Sequence, residues 1–187
     1  MPAYSFVKIS NEIYVASPEL LFFQLANKYS IEKLFILGME ICGTYCLNKS
    51  EISPFTTNLI PLTSTYRIRK YLTNLHRLNN NSRGIKKSIS VASYLEDNSA
   101  SPQESNLYIR LCAPRKYGGY GIKGFELNKK IKLSNQAASI LGNKTIRPDL
   151  CNTTKKIAIE YDSSTFHDNV MQNTKDKLRL DALHNDG

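Results

Sequence analysis

The sequence has no apolar run approaching the ~20 residues that a membrane-spanning helix needs. Its opening, Met1-Pro2-Ala3-Tyr4-Ser5, lacks the basic-then-apolar order of a secretory leader. The expected setting is therefore cytoplasmic, with no membrane partner. Cysteine is scarce: Cys42, Cys46, Cys112 and Cys151 are dispersed, and only the first two are close enough to share a ligand. No second Cys or His pair at metal-site spacing completes a tetrahedral zinc site, so buried thiols in a reducing compartment are expected. There is no internal repeat. Tyr117-Gly118-Gly119-Tyr120-Gly121 lacks the spacing of a phosphate-binding loop and reads as a turn that demands unusual backbone angles. Acidic residues are absent from the whole stretch between Glu51 and Glu96.

What fills that stretch is basic. Arg67, Arg69, Lys70, Arg77, Arg83, Lys86 and Lys87 all fall within it, in a chain of 187 residues with a formal net charge of +9 and a pI near 9.4. Basic surfaces attract phosphate backbones and release condensed counterions, which makes a polyanion the expected partner class. Arg67, Arg69, Lys70, Lys86 and Lys87 are the candidate contacts; the same charges would equally suit the solvated face of two ordinary helices. A hydrophobic content of 41% suffices for a core, and the length fits one domain or a small helical unit beside a second, α/β unit.

Local signals order the N-terminal half. Asn11 to Ala16 reads as a short strand, then Ser17, Pro18 and Glu19 form a strong helix start. Ser30 is the N-cap of a second helix carrying Leu34, Phe35, Leu37, Ile41 and Tyr45, which Gly43 ends. The segment from Ser50 to Pro61 is a loop. Leu72, Leu75 and Leu78 at helical spacing predict a helix from about Ser64 to Leu78, with a break at Asn79 to Ser82 and another helix through Tyr94. Ser101-Pro102-Gln103-Glu104 has the form of a capping box, and Phe125 to Leu133 reads as an extended segment.

The acids that carry chemistry lie near the end. Arg147-Pro148-Asp149-Leu150 and Lys156-Ile157-Ala158-Ile159-Glu160-Tyr161-Asp162 read as two strands joined by a hairpin loop at Cys151 to Lys155. Alternation puts Ala158, Glu160 and Asp162 on one face of the second strand, with Asp149 arriving beside them from the first. Clustered carboxylates repel unless a hard cation such as Mg²⁺ lies between them. His167 follows five residues later.

Taken together, Ser101-Pro102-Gln103-Glu104, Gly118-Gly119-Tyr120-Gly121, Pro148-Asp149-Leu150, Ile159-Glu160-Tyr161-Asp162, His167, and Asp176 with Arg179 resemble the very-short-patch-repair-like endonuclease branch of the PD-(D/E)xK nuclease superfamily. The resemblance spans roughly residues 90–187. Upstream, Tyr14 to Leu21 and Leu37 to Tyr45 look like the helical region preceding such domains in actinobacterial proteins.

This resemblance implies an α/β fold: a restriction-endonuclease-like mixed sheet flanked by helices over 93–187, preceded by a mainly helical region over 1–92. It also implies that Asp149 and Glu160 hold Mg²⁺ or Mn²⁺, that Glu104 and Asp162 complete the catalytic acids, and that His167 handles the proton. Arg179 is a further candidate phosphate contact. An amphipathic helix is expected from Asp168 to about Asn185, and the sequence stops before the last core strand that follows it in the resembling nucleases.

Two departures bear on activity. The superfamily's usual lysine two positions after Glu160 is Asp162 here, and Ser163 replaces a common glycine. The implied function is a metal-dependent DNA endonuclease-like protein serving bacterial defence or repair. The alternatives are a non-catalytic nucleic-acid-binding or regulatory module with a degenerate nuclease fold, and a helical interaction protein whose acidic strand is structural. A retaining-glycosidase use of Glu160 and Asp162 is disfavoured, because same-face neighbours do not flank a sugar bond from opposite sides.

Overall fold

The structure is a computed structural model in which residues 1–48, 54–79 and 82–161 are described. Serine capping sets most of the helix starts. Ser17 accepts a hydrogen bond from the Leu20 N–H and opens α1 (Pro18–Leu25); Ser30 does the same from Lys33 for α2 (Ile31–Cys42), and Ser64 from Arg67 for α3 (Thr65–Leu78). Next, α4 (Ile85–Ala92) starts from Gly84, whose φ of 84° lies in the left-handed region. Ser101 caps α5 (Pro102–Cys112), and Ser134 caps α6 (Asn135–Leu141). Each such side chain satisfies one of the orphan N–H groups at a helix start.

The chain divides into two compact units, 1–123 and 124–187. In the first, α3 packs against α1 and α4, while α2 packs against α1, α4 and α5. Leu20, Phe22, Leu34, Phe35, Met39, Ile68, Leu72, Ile85, Val91 and Leu95 are buried there. Removing each large side chain from water stabilises the unit by about 1.5–3 kcal/mol before entropy is counted. Two small antiparallel strand pairs accompany the helices: β1 (Phe6–Lys8) with β2 (Tyr14–Ala16) ahead of α1, and β3 (Cys46–Leu47) with β4 (Phe55–Thr56) between α2 and α3. Residues 93–123 belong to this unit because α5 lies on α2, tied by a 2.9 Å bond between the Tyr45 and Ser105 hydroxyls. The observed boundary therefore falls at 123/124, later than the expected 92/93.

After α5 the chain turns through a 3-10 segment at Arg115–Tyr117 and doubles back. Tyr120 and Ile122 N–H groups donate to the Arg110 and Leu111 carbonyls, each at 2.9 Å. Gly119 allows this approach: a Cβ there would stand 2.1 Å from the Ala113 carbonyl oxygen.

In the second unit the elements run β5 (Glu126–Leu127), β6 (Ile131–Lys132), α6, β7 (Thr145–Ile146), β8 (Leu150–Asn152) and β9 (Ile157–Ile159). The left-handed Asn128, φ 49°, divides the expected extended run into β5 and β6. β8 is the centre of a three-stranded antiparallel sheet in the order β5-β8-β9, and β6 pairs antiparallel with β7. Leu133, Ala137 and Ile146 form a local core with Ile131, Ala138 and Leu141 packed on it.

The protein is thus mixed α/β, with small antiparallel sheets. Among the described residues all strand pairs are antiparallel. Parallel pairing needs a crossover connection of a dozen or more residues; here β8 and β9 are joined by a tight turn. The helix expected from Asp168 lies outside the described residues. No helix among the described residues is long and apolar enough to cross a membrane.

Candidate functional site

The β8–β9 hairpin positions the first acids. Its register pairs Leu150 with Ile159, Cys151 with Ala158 and Asn152 with Ile157. Continued one step beyond the last paired residues, this register would set Asp149 opposite Glu160. Directly opposed residues of an antiparallel pair share a face, so the two acids would belong to the side that carries Cys151 and Ala158. The Asp149 carboxylate is fixed by the strand leaving it: Oδ2 accepts a 2.7 Å hydrogen bond from the Tyr161 N–H. On the other flank, the Asp149 carbonyl accepts from the Asn128 N–H at 3.0 Å.

The turn itself differs from the expected Cys151 to Lys155. Cys151 and Asn152 stay in β8, and the Asn152 side chain closes the turn by accepting from the Lys155 N–H at 3.0 Å. Lys156 then takes a left-handed φ of 54°. Such a local side-chain bond to the backbone, here three residues on, lets asparagine compete with the strand ladder. The Cys151 thiol is buried beneath the hairpin, and burial together with the Glu126 charge pushes its pKa upward. Glu126 shares that face through its pairing with Cys151 and forms an ion pair with Lys129.

Asp162, His167 and Arg179 lie outside the described residues. Among the described residues no group of three His, Cys, Asp or Glu side chains gathers as a metal site. The donor chemistry of Asp149 and Glu160 is nonetheless that of a hard cation, since Mg²⁺ commonly takes one or two carboxylates and completes its shell with water and phosphate oxygens.

Glu104 lies in the first unit and completes the capping box of α5. Its N–H donates to Ser101 Oγ at 3.2 Å, Oε2 accepts from the Ala100 N–H at 2.9 Å, and Oε1 accepts from the Ser101 hydroxyl at 3.0 Å. This reciprocal bonding accounts for its burial without a ligand.

The basic block is more structural than its sequence indicates. Arg67 Nε lies 3.1 Å from Oε1 of the buried Glu19, which also accepts from the Thr63 hydroxyl. Arg69 crosses to the end of α4, donating from Nε to the Ala92 carbonyl at 2.8 Å and from a terminal nitrogen to the Leu95 carbonyl at 2.7 Å. Cations complement helix C-termini in this way. Lys70 lies 5.7 Å from the Tyr66 ring centroid, and Lys87 donates to the Tyr29 carbonyl. Lys86 is exposed on the first turn of α4. Arg83 was not among the expected contacts, yet it lines one surface depression with Lys86 and Lys87. Arg83 precedes α4, so helical spacing gives no signal for it; its place in the basic block was the available one.

Compared with family profiles, curated proteins and solved structures, the chain matched none.

Proposed function

We propose that this chain is a metal-dependent DNA endonuclease-like protein of the very-short-patch-repair-like branch, with its catalytic acids at the open end of the β8–β9 hairpin. The observations that support this reading are the antiparallel β8–β9 register, whose continuation by one pair would bring Asp149 opposite Glu160, and the 2.7 Å bond from the Tyr161 N–H to the Asp149 carboxylate. Asp149 and Glu160 would hold the ion, and a bound Mg²⁺ or Mn²⁺ would acidify water and stabilise charge on the departing phosphate oxygen. The remaining roles belong to side chains of the chain itself. The Tyr161 N–H orients Asp149 by its 2.7 Å bond, limiting the rotamers the carboxylate can adopt. Asp162, outside the described residues, would supply a further carboxylate of the kind a hard cation takes. His167 would take up a proton near neutral pH, where an imidazole ordinarily titrates.

A second reading is favoured by the same bond and by the missing lysine. Asp149 already has a hairpin-closing partner in Tyr161, and position 162 carries an acid where the superfamily carries a cation. A binding module that kept the fold and lost turnover would retain both features. Supercoiled plasmid incubated with purified protein and Mg²⁺ or Mn²⁺ separates the two. Divalent-dependent nicking supports the nuclease; salt-dependent binding without nicking under any divalent ion supports the module.

A further inference from the structure

An open surface depression of about 520 Å³ lies in the first unit, away from the acid pair in sequence, lined by Ala26, Asn27 and the run from Ser82 to Lys87. Three of its lining residues are cations, Arg83, Lys86 and Lys87, and none is an acid. Lys87 is held in place because its ammonium donates to the Tyr29 carbonyl in the α1–α2 connection. Among the described residues, the side chains of Arg83 and Lys86 make no hydrogen bond or ion pair. Gly84 sets the shape of the floor: at φ 84° a Cβ would be strained and would also meet Asn27 Oδ1 at 2.6 Å. Asn27 and Ser82 add neutral polar groups to the wall.

We propose that this depression is a phosphate-binding site. Three cationic residues and no acid line this one surface, and an anion there would take charge-assisted hydrogen bonds from guanidinium and ammonium groups. Arg83 offers a planar fork suited to two phosphate oxygens, whereas Lys86 and Lys87 act as point charges. A compact tetrahedral anion can be engaged from several sides by this set. The depression is open to solvent, which leaves room for the group that carries the phosphate. The ligand is therefore a phosphate group carried either by a nucleic-acid backbone or by a small phosphate compound. The proposal stands apart from the Asp149–Glu160 pair, which takes no part in it.

The test compares full-length protein with Arg83→Ala/Lys86→Ala and with Lys130→Ala/Lys132→Ala, which removes the same net charge from exposed or partly exposed positions of the second unit. Circular dichroism establishes that each variant is folded. Binding of pyrophosphate and of a short DNA duplex is measured by titration at several salt concentrations. The expected result is at least a tenfold loss of affinity in the Arg83→Ala/Lys86→Ala variant for one of these probes, with little change in the control. If duplex is the probe that responds, its salt slope falls by about two, near 0.9 per phosphate contact. A loss for pyrophosphate alone assigns a small phosphate compound, and a loss for duplex assigns a backbone phosphate. Equal losses in both double variants, or no loss for either probe, overturn the site. Because plasmid nicking is scored separately, failure of this site and failure of the acid pair give different patterns.

Discussion

Replacing Arg69 with alanine separates charge that holds the fold from charge that meets a ligand. Its guanidinium closes the C-terminal end of α4 through bonds of 2.8 and 2.7 Å to the Ala92 and Leu95 carbonyls. Solvent competes for an exposed arginine, so each bond is assigned about 1 kcal/mol, the central value for an ordinary hydrogen bond and below the range for charged groups. Loss of a cation from a helix C-terminus adds about 0.5 kcal/mol. Arg69→Ala should therefore destabilise the first unit by about 2–3 kcal/mol, which at this size lowers Tm by about 6–12 °C. Arg69→Lys keeps the charge but cannot span both carbonyls, and should recover half or less of that loss. Calorimetry gives Tm, and duplex titrations give the salt slope, which should stay constant because the guanidinium is already engaged by carbonyls. An unchanged Tm combined with a salt slope reduced by about one would refute the reasoning and return Arg69 to the phosphate-contacting set.

Three further outcomes follow from the packing. Gly119→Ala places a methyl 2.1 Å from the Ala113 carbonyl oxygen, and denaturant titration should show a loss of about 2–4 kcal/mol; wild-type stability would mean that the chain does not double back there. Glu104→Ala removes the acceptor for the Ala100 N–H and Ser101 hydroxyl and should cost about 1–2 kcal/mol, the range of a lost cap, in the same assay. Burial pushes the Cys112 thiol up to about 12 from 9.0 and the Tyr45 phenol up to about 12 from 10.0. Their neutral forms are favoured by folding, so this stability is fully present below pH 9 and is lost as pH rises from 9 toward 12. The urea midpoint should fall across that window, and fall less in Cys112→Ala; a midpoint flat from pH 8 to 11 contradicts the burial of both groups.

Local chemistry explains what the sequence revealed of the fold. Ser17, Ser30, Ser64 and Ser101 each announce a helix because their hydroxyls bond only three residues ahead. Ser134 uses the same device, but α6 has only seven residues and one fully buried side chain, too little for apolar periodicity to stand out. The β8–β9 hairpin was readable because alternation and a short loop define one, even though the turn moved toward Lys156 when Asn152 bonded the Lys155 N–H. The destination of Arg69 was not readable: its partners lie 23 and 26 residues away and are backbone carbonyls, which leave no trace in residue identity. The buried Glu19 beneath Arg67 and Thr63 is hidden for the same reason, as its partners are 48 and 44 positions distant.

The central claim is that the hairpin acids form a catalytic pair, and its most direct test is divalent-dependent nicking of supercoiled plasmid by wild-type protein and Glu160→Gln at matched concentrations. The substitution preserves size and strand register while removing the charge that would hold an ion. Wild-type protein should nick with Mg²⁺ or Mn²⁺, and Glu160→Gln should lose that activity while binding duplex with equal or slightly greater affinity. Nicking by Glu160→Gln at the wild-type rate would contradict the account and place any cleavage elsewhere.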